Sequence, residues 1–371
     1  MKDYPLALRL TILFASLTLF FFGMIQARDF LYPIAIAMLF SYLLLPVTSF
    51  LEKHRFPRII AILISIILAI AVLLAGSFFI YTQITGFTEG FPEMKKQAQE
   101  NISLYKTFIE EYFGISKEIM DEIFQVNVSG FFDSGSEFRK AFTATTGTII
   151  KIGLMPVYIF LFLFYRTKFA YFILKIVPQQ RKMRTIKILR DISKVGTKYM
   201  GGMFIVVCVL CVLNSAGLAI VGLKYAIMLG VISALFNFIP YFGTLLGASV
   251  PLLFAIFTGD SSDVFGVIIL YVIIQFTENN LLTPNIVGEN LKLNPFVIIL
   301  GLVLGATLWG LPGMIVIVPL LAMLKIVCRN IDELRPYAFL LGTRGAKSHA
   351  LTIDNIKAFF ISRFFKKKLS K

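Results

Sequence analysis

The sequence has few charged residues and few of the side chains that build catalytic and metal sites. Only 15% of its 371 residues are charged against 57% that are hydrophobic, and there are two histidines, three cysteines and one tryptophan. The mean hydropathy is +0.82. A soluble domain cannot bury this much apolar surface. The composition therefore excludes an ordinary soluble protein and indicates a polytopic membrane protein.

Motifs for hydrolytic, metal and nucleotide chemistry are absent from the sequence. It contains no HExxH motif and no GxxxxGK[ST] loop, and Cys208 and Cys211 lie in an apolar run without histidine or acidic neighbours. We therefore expect no enzyme activity, no metal site and no cofactor. The net charge of +15 comes from basic residues that flank apolar runs, without a nucleic-acid-binding motif, so no nucleic-acid partner is expected.

Long apolar runs predict the membrane spans, because crossing a bilayer takes about 20 residues. Two blocks of 35 and 32 uncharged residues are too long for one span and too short for two, and "NFIPYFG" and "GLPGM" interrupt them. We predict an all-α polytopic fold with about six full spans and two re-entrant helical hairpins, each with legs of about 16 residues. The spans are predicted at about 10–27, 30–51, 59–80, 146–165, 199–223 and 264–283, and the hairpins at 225–259 and 293–324.

The distribution of charge predicts the orientation of the chain. Residues 85–145 hold ten acidic and six basic side chains, whereas residues 166–198 hold ten basic and one acidic. Because basic loops stay in the cytosol, both termini are predicted to be cytosolic. Four regions follow: N-terminal spans in 1–84, an extracytoplasmic segment in 85–145, a transport core with a basic cytosolic linker in 146–328, and a basic cytosolic tail in 329–371.

Two polar segments carry a helical repeat of apolar residues. The repeat in 91–112 predicts an amphipathic helix that could lie on the bilayer, contact a second subunit or cover the protein's own helices. A similar repeat in 183–199 predicts a helix that continues into the next span. Small residues in that span suit close packing between subunits and favour a homo-oligomer; they are Gly201, Gly202 and Gly217.

Polar residues within the apolar blocks form the candidate site. Glu278, in "VIIQFTENNLLTPNIVG", lies on the span that links the hairpins, or at the inner interface if that span ends early. A carboxylate inside a span costs on the order of several kcal/mol, so it normally faces the bundle interior or water. Helical spacing places Gln275, Glu278 and Asn279 on one face, which Tyr271 shares. The candidate pathway residues are Asn237, Pro240, Tyr241, Gly243, Gln275, Glu278, Asn279, Asn280, Pro284, Pro312 and Gly313.

Two roles are open for these residues. They could bind a small polar solute or a desolvated cation, with Glu278 alternating between a proton and a counter-ion. They could instead only tie the hairpins to the rest of the protein, since buried polar groups need partners whatever the function. Two hairpins that enter from opposite faces would match the inverted repeats of secondary transporters.

Three stretches of the sequence resemble the autoinducer-2 exporter (AI-2E) family of PerM-like permeases. They read "AMLFSYLLLPVTSFLEKHRFPRIIAILI", "LFNFIPYFGTLLGASVP" and "TENNLLTPNIVGENLKLNPFVIILGLVLGATLWGLPGMIVIVPLLAMLK". The resemblance covers nearly the whole chain and implies an oligomeric, multi-pass transporter of the bacterial cytoplasmic (inner) membrane. Some relatives are linked to export of the furanosyl signal autoinducer-2 and others to sodium/proton antiport.

The resulting hypothesis is a secondary transporter that exports a small polar solute. A sodium/proton antiporter and a membrane scaffold without transport activity are the alternatives. The expected partners are the lipid bilayer, a small polar solute, sodium or protons, and further copies of the same chain.

Overall fold

The structure is a computed structural model that describes residues 5–113, 146–240, 242–287 and 293–343, nearly all of them helical. Apolar runs fold this way because a helix satisfies its own backbone donors and acceptors, which lipid cannot do. The helices are α1 (Leu6–Gln26), α2 (Arg28–Lys53), α3 (Arg58–Glu89), α4 (Phe91–Phe113), α5 (Thr146–Ile176), α6 (Lys182–Val221), α7 (Ala226–Phe236), α8 (Phe242–Thr258), α9 (Ser261–Thr277), α10 (Thr283–Ile286), α11 (Pro295–Trp309), α12 (Leu311–Asn330) and α13 (Arg335–Leu341).

Within the described residues, six helical segments are long and apolar enough to cross a membrane. Five of them overlap predicted spans, and the sixth is α12, which belongs to the second predicted hairpin. The predicted first span is described as a shorter apolar stretch, Leu10–Gln26. The prediction of an all-α polytopic membrane protein is confirmed. The five overlapping segments are Arg28–Lys53, Arg58–Gln83, Gly153–Ile176, Gln179–Val221 and Ser262–Ile286.

Each of the two long apolar blocks folds into a pair of packed helices. Hairpin 1 consists of α7 and α8, with 11 and 17 residues. Hairpin 2 consists of α11 and α12, with 15 and 20 residues, so α12 is longer than the predicted leg. Helices of 15 to 17 residues measure about 22–25 Å, which is less than the hydrocarbon thickness of about 30 Å. Re-entrance of the hairpins stays a prediction.

The basic linker is helical through most of its length. Helix α5 continues past the predicted end of its span to Ile176, and a short turn at Gln179–Arg181 leads into α6. Helix α6 then runs for 40 residues without interruption, which confirms the predicted continuation into the next span. Gly196 lies where α2, α6 and α12 meet, since a Cβ there would stand 2.9 Å from Tyr42 Cγ and 2.8 Å from Met323 Cε.

The amphipathic helix α4 covers one end of hairpin 1. Its apolar residues Met94, Ala98 and Ile102 are buried in a cluster with side chains of α6, α7, α8 and α9. The Asn101 side chain donates hydrogen bonds to the carbonyls of Phe257 and Gly259, at the C-terminus of α8. Of the three predicted roles of this helix, the packing supports that of a cover for the protein's own helices. We call this end of the molecule the α4 end.

Ion pairs gather at the opposite end, which we call the α13 end. Arg184 of α6 donates to both carboxylate oxygens of Asp332, at 2.8 and 3.1 Å. Glu52 of α2 pairs with Arg166 of α5. The Asn294 backbone N–H donates to a carbonyl of α13. Both ends of hairpin 2 therefore lie at the α13 end, whereas both ends of hairpin 1 lie at the α4 end.

The small residues of α6 pack mostly within the chain. A Cβ at Gly202 would lie 2.9 Å from the Cα of Val287, and one at Gly217 would press on the Leu270 side chain. Gly201 meets no atom of the described chain within 4 Å. The expectation that all three glycines serve contacts between subunits is therefore wrong for Gly202 and Gly217, because α9 and the segment after α10 occupy those faces.

Candidate functional site

Glu278 begins a π-helical turn in the long helix that follows hairpin 1. Helix α9 ends at Thr277, the residues Glu278–Leu282 form the π-helical turn, and α10 continues to Ile286. A π-turn inserts an extra residue into a helix and changes which side chains face a neighbouring element, and such turns are frequent at functional sites. Pro284 lies in the first turn of α10, where its missing N–H is best tolerated.

The Glu278 carboxylate faces the apex of hairpin 1. Asn237 follows the last residue of α7, and its Nδ2 donates a hydrogen bond of 2.6 Å to Glu278 Oε1. The two residues are only 4% and 7% exposed. Gly243 lets α8 approach this apex, because a Cβ at that position would overlap the Phe236 carbonyl. The apex thus supplies an uncharged donor to a carboxylate in the interior of the helix bundle.

The hydrogen-bonded pair lines a small cavity between α6, hairpin 1 and α9. Its volume is about 20 Å³, enough for one water molecule or one desolvated ion. Among the lining residues that the structure describes, Glu278 is the only carboxylate. The lining consists of Leu210, Asn214, Ser233, Asn237, Thr244, Tyr271, Ile274, Gln275 and Glu278.

Three polar residues of this lining form a second hydrogen-bonded group. The Tyr271 hydroxyl donates to Ser233 Oγ at 2.7 Å. The Asn214 Nδ2 donates to the same oxygen at 3.3 Å. The other polar atom of Asn214, Oδ1, is buried without a hydrogen-bond partner. Amide, hydroxyl and carboxylate groups of α6, α7, α9 and the π-helical turn therefore line one cavity.

The structure brings together only part of the predicted set. Gln275 is half-buried and lines the cavity with Asn237 and Glu278. Pro240 is half-buried and Gly243 is buried at the apex beside them. Tyr241 lies outside the described residues. At the second apex, Pro312 is half-buried and Gly313 packs against Gly305 rather than lining this cavity.

Asn279, Asn280 and Pro284 are exposed and do not line the cavity. The prediction that Asn279 shares the buried face of Gln275 and Glu278 is wrong, because the π-helical turn that begins at Glu278 changes the directions of the side chains that follow. Asn280 donates back to the Phe276 carbonyl at 2.8 Å. A pathway role for these three residues stays a prediction.

Sequence reasoning placed Tyr271 on the correct face but missed Asn214, Ser233 and Thr244. Asn214 offered a signal, because it is a lone carboxamide in the apolar run of α6. Ser233 and Thr244 offered none, since hydroxyls are common in membrane helices and readily bond to their own backbone.

Comparison with known proteins places these features in a family. The model of the AI-2E family transporters matches residues 14–333. "Putative transport protein YueF" of Bacillus subtilis is 30% identical over 318 residues, which cover 82% of this chain and 84% of that protein. "Putative transport protein YrrI" of the same organism is 31% identical over 313 residues, covering 82% and 87%. The "AI-2 transport protein TqsA" of Escherichia coli is 24% identical over 346 residues, covering 90% and 95%.

The matched region begins inside α1 and runs through both hairpins to the ion pairs at the α13 end. It therefore contains the membrane-spanning helices, the buried carboxylate and the apex that binds it. The relatives are transport proteins rather than enzymes. Because the family match includes the hairpins and the helix that links them, this multi-pass membrane protein belongs to the AI-2E transporter family.

Proposed function

We propose that the protein is an ion-coupled secondary transporter in which Glu278 is the coupling site and the exported cargo is a small polar solute. The observation that carries the proposal is the buried hydrogen bond between Glu278 and Asn237 in a polar cavity. An acidic side chain in a spanning segment is costly, and in transporters it commonly holds a proton or a cation. The broken helix beside a hairpin apex is typical of transporter binding sites.

Export of a small polar solute is supported by the family. One relative is named as a transport protein for AI-2. The cavity of about 20 Å³ is too small for a sugar-sized molecule, so the solute would bind only after hairpin 1 separates from α6 and α9. The absence of a GxxxxGK[ST] loop from the sequence favours an ion gradient as the energy source.

Sodium/proton antiport is the second candidate, and the size of the cavity favours it. A space for one small ion, lined by a carboxylate, can hold either a proton on the carboxyl group or a desolvated sodium ion against the carboxylate. Alternation between these two states would exchange the ions without a larger solute.

The test is flux in proteoliposomes that contain the purified protein, with candidate solutes and imposed sodium or proton gradients. Glu278→Gln keeps the size of the side chain and most of its hydrogen bonding but cannot titrate. We expect it to abolish gradient-driven flux while the protein still folds. Glu333→Gln, which removes an exposed carboxylate at the α13 end, is the matched control. Unchanged flux and unchanged pH dependence in Glu278→Gln would leave the carboxylate with a structural role only.

A scaffold without transport activity predicts a different result. The wild-type protein would then give no flux with any solute or gradient, although it is correctly inserted. The polar cavity argues against a scaffold, because a purely structural bundle would gain stability from apolar residues at these positions.

For the orientation, we propose a bacterial inner membrane with the α4 end outside and both termini in the cytosol. The acidic segment adjoins the α4 end, while basic residues concentrate near the α13 end.

Single cysteines at Tyr241 and Pro312 test whether the hairpins are re-entrant. Free labelling of either apex from the face opposite its hairpin ends, without protection in any state, would contradict re-entrance.

Homo-oligomerisation also belongs to the proposal. The apolar stripe of α4 is engaged within the chain, so a subunit contact would use other faces. Helices α1 and α3 present exposed apolar side chains, among them Leu19, Leu74 and Phe78. We expect a mass above that of the monomer in mild detergent, and a monomer under several lipid-like conditions would count against it.

A further inference from the structure

The cavity has two polar layers rather than one. The first layer contains Glu278 and Asn237. The second consists of Asn214, Ser233 and Tyr271, which we call the polar layer. Ser233 precedes Asn237, the residue after α7, by four residues or about 6 Å, and Tyr271 precedes Glu278, the residue after α9, by seven residues or about 10 Å. A single cavity touches both layers.

The polar layer lies on the α4 side of Glu278. Along α9 and into the π-helical turn, Glu278 is seventeen residues, or about 25 Å, from Ser261, whereas Tyr271 is ten residues, or about 15 Å, from it. Asn214 is seven residues, or about 10 Å, from the end of α6. Between the polar layer and α4 lies an apolar cluster that includes Leu218, Leu229 and Phe254. The cavity is therefore separated from the α4 end by apolar packing of hairpin 1.

Asn214 has a buried acceptor atom that could bind a ligand. Its side chain is 3% exposed, its Nδ2 is held by Ser233, and its Oδ1 is buried without a partner. The Tyr271 hydroxyl also donates a hydrogen bond to the Ser233 hydroxyl. A buried acceptor without a partner is unfavourable, so an occupant that donates a hydrogen bond or carries positive charge would stabilise this arrangement.

We propose that Asn214, Ser233 and Tyr271 form a second station of the transport path, between Glu278 and the α4 side of the membrane, at which the Asn214 carbonyl oxygen binds sodium as the coupling cation. This inference rests on the proposed function. Asn214 is the ligand, while Ser233 and Tyr271 are positioning residues that orient its amide. Passage to the α4 side requires hairpin 1 to separate from α4, α6 and α9 within the apolar cluster, so that the cation can leave from the polar layer.

Accessibility to a thiol reagent tests the route. The native cysteines Cys208, Cys211 and Cys328 are first replaced by alanine, and flux is checked in that background. Single cysteines at Asn214 and Ser233 are then compared with cysteines at Leu213 and Val272, which neighbour the polar layer in sequence but have exposed apolar side chains. We expect a membrane-impermeant reagent added on the α4 side to label the first pair about tenfold faster than the second. Sodium chloride should slow the labelling of the Ser233 cysteine, in which Asn214 is intact, relative to choline chloride, because an amide oxygen can bind a sodium ion. Equal labelling in the two salts would contradict cation binding at Asn214.

Flux tests the chemistry of the station. Asn214→Leu keeps the approximate size but removes the carbonyl, and we expect a loss of gradient-driven flux of about tenfold. Tyr271→Phe removes only the hydroxyl that holds Ser233, and we expect a loss of about two- to fivefold together with a weaker apparent affinity for the ion. Leu213→Ala is the control and should transport like the wild type.

The inference requires both results. Equal labelling of the two cysteine pairs, labelling only from the α13 side, or flux within about twofold of wild type in Tyr271→Phe would overturn it and leave a trapped water as the occupant of the cavity. The proposed function fails separately, if the wild-type protein gives no gradient-driven flux or if Glu278→Gln transports normally. If Asn214→Leu does not fold, the cysteine variants and Tyr271→Phe still decide.

Discussion

The two hairpins have similar sequence features and different chemical surroundings. Both are apolar helix pairs with glycine at the close contact, proline near the apex and a buried proline in the second leg, Pro251 or Pro319. The apex of hairpin 1 presents the Asn237 amide to a carboxylate. At the apex of hairpin 2, Trp309 donates its indole N–H to the Met24 carbonyl of α1. Proline and glycine therefore decide the shape of a hairpin, while the helix opposite its apex decides which chemical groups the apex contacts.

The cores beneath the apices differ in the same way. Hairpin 2 packs through apolar residues such as Leu302, Val316 and Val318 into the main hydrophobic cluster. Hairpin 1 also contributes Ala234 and Ile239 to this cluster and packs under α4, but its face toward Glu278 carries polar side chains. An element that carries polar groups on its inner face opens at lower free energy than one whose inner face is apolar throughout. We therefore expect hairpin 1 to be the moving element and hairpin 2 to be part of the frame.

The largest effect is expected from substitutions at the closest backbone approaches. Gly313→Ala and Gly243→Ala would each drive a Cβ into a carbonyl group. We expect each to destabilise the protein by about 1–3 kcal/mol, measured as a lower thermal midpoint and a lower yield in detergent. Gly201→Ala, whose Cβ meets no described atom, is the matched control and should be neutral or slightly stabilising. Similar stability of Gly313→Ala and Gly201→Ala would contradict close packing in hairpin 2.

A change at the polar apex should separate the two hairpins functionally. Asn237→Leu removes the donor to Glu278 and leaves a buried carboxylate oxygen without its partner. We expect gradient-driven flux to fall by at least about tenfold and stability to fall by about 1–3 kcal/mol. Asn330→Leu, at a half-buried asparagine whose side chain donates to the Ile326 carbonyl of its own helix, is the control and should retain flux. Normal flux in Asn237→Leu would remove the functional distinction between the hairpins.

A change at the apolar apex should be smaller and purely structural. Trp309→Phe removes the hydrogen bond to Met24 but keeps an aromatic ring at the apex. Loss of one such bond costs about 0.5–1.5 kcal/mol. We expect a slightly lower thermal midpoint and unchanged dependence of flux on the ion gradient. A shifted ion dependence in this variant would show that hairpin 2 also takes part in coupling.

The smallest effect is expected at the ion pairs of the α13 end. The Arg184 guanidinium, through its hydrogen bonds and charge, holds the pKa of the Asp332 carboxyl below its ordinary value. Because the folded-state pKa is lowered, this contribution to stability is present above about pH 4 and is lost as the pH falls through the folded-state value. We expect Arg184→Ala to lower the thermal midpoint slightly at neutral pH, with the difference from wild type shrinking below about pH 4 and at high salt. A difference in thermal midpoint that grows on acidification would contradict this prediction.

Local patterns in the sequence were sufficient to predict the helices and the two apolar helix pairs. Apolar runs such as that of α3 predict helices because lipid leaves the backbone no other partner. The breakers "NFIPYFG" and "GLPGM" mark the apices, since proline and glycine interrupt a helix wherever the chain places them. Glu278 could be singled out because a carboxylate in an apolar run is unfavourable in any fold.

Only the tertiary structure decided which polar groups meet. Asn214, Ser233 and Tyr271 lie on three different helices, and no spacing rule links residues so far apart in the sequence. The π-helical turn that begins at Glu278 and the packing of α4 on hairpin 1 depend likewise on contacts between elements. Local sequence does not determine these features, because the orientation of each side chain depends on the neighbours that tertiary packing places beside it.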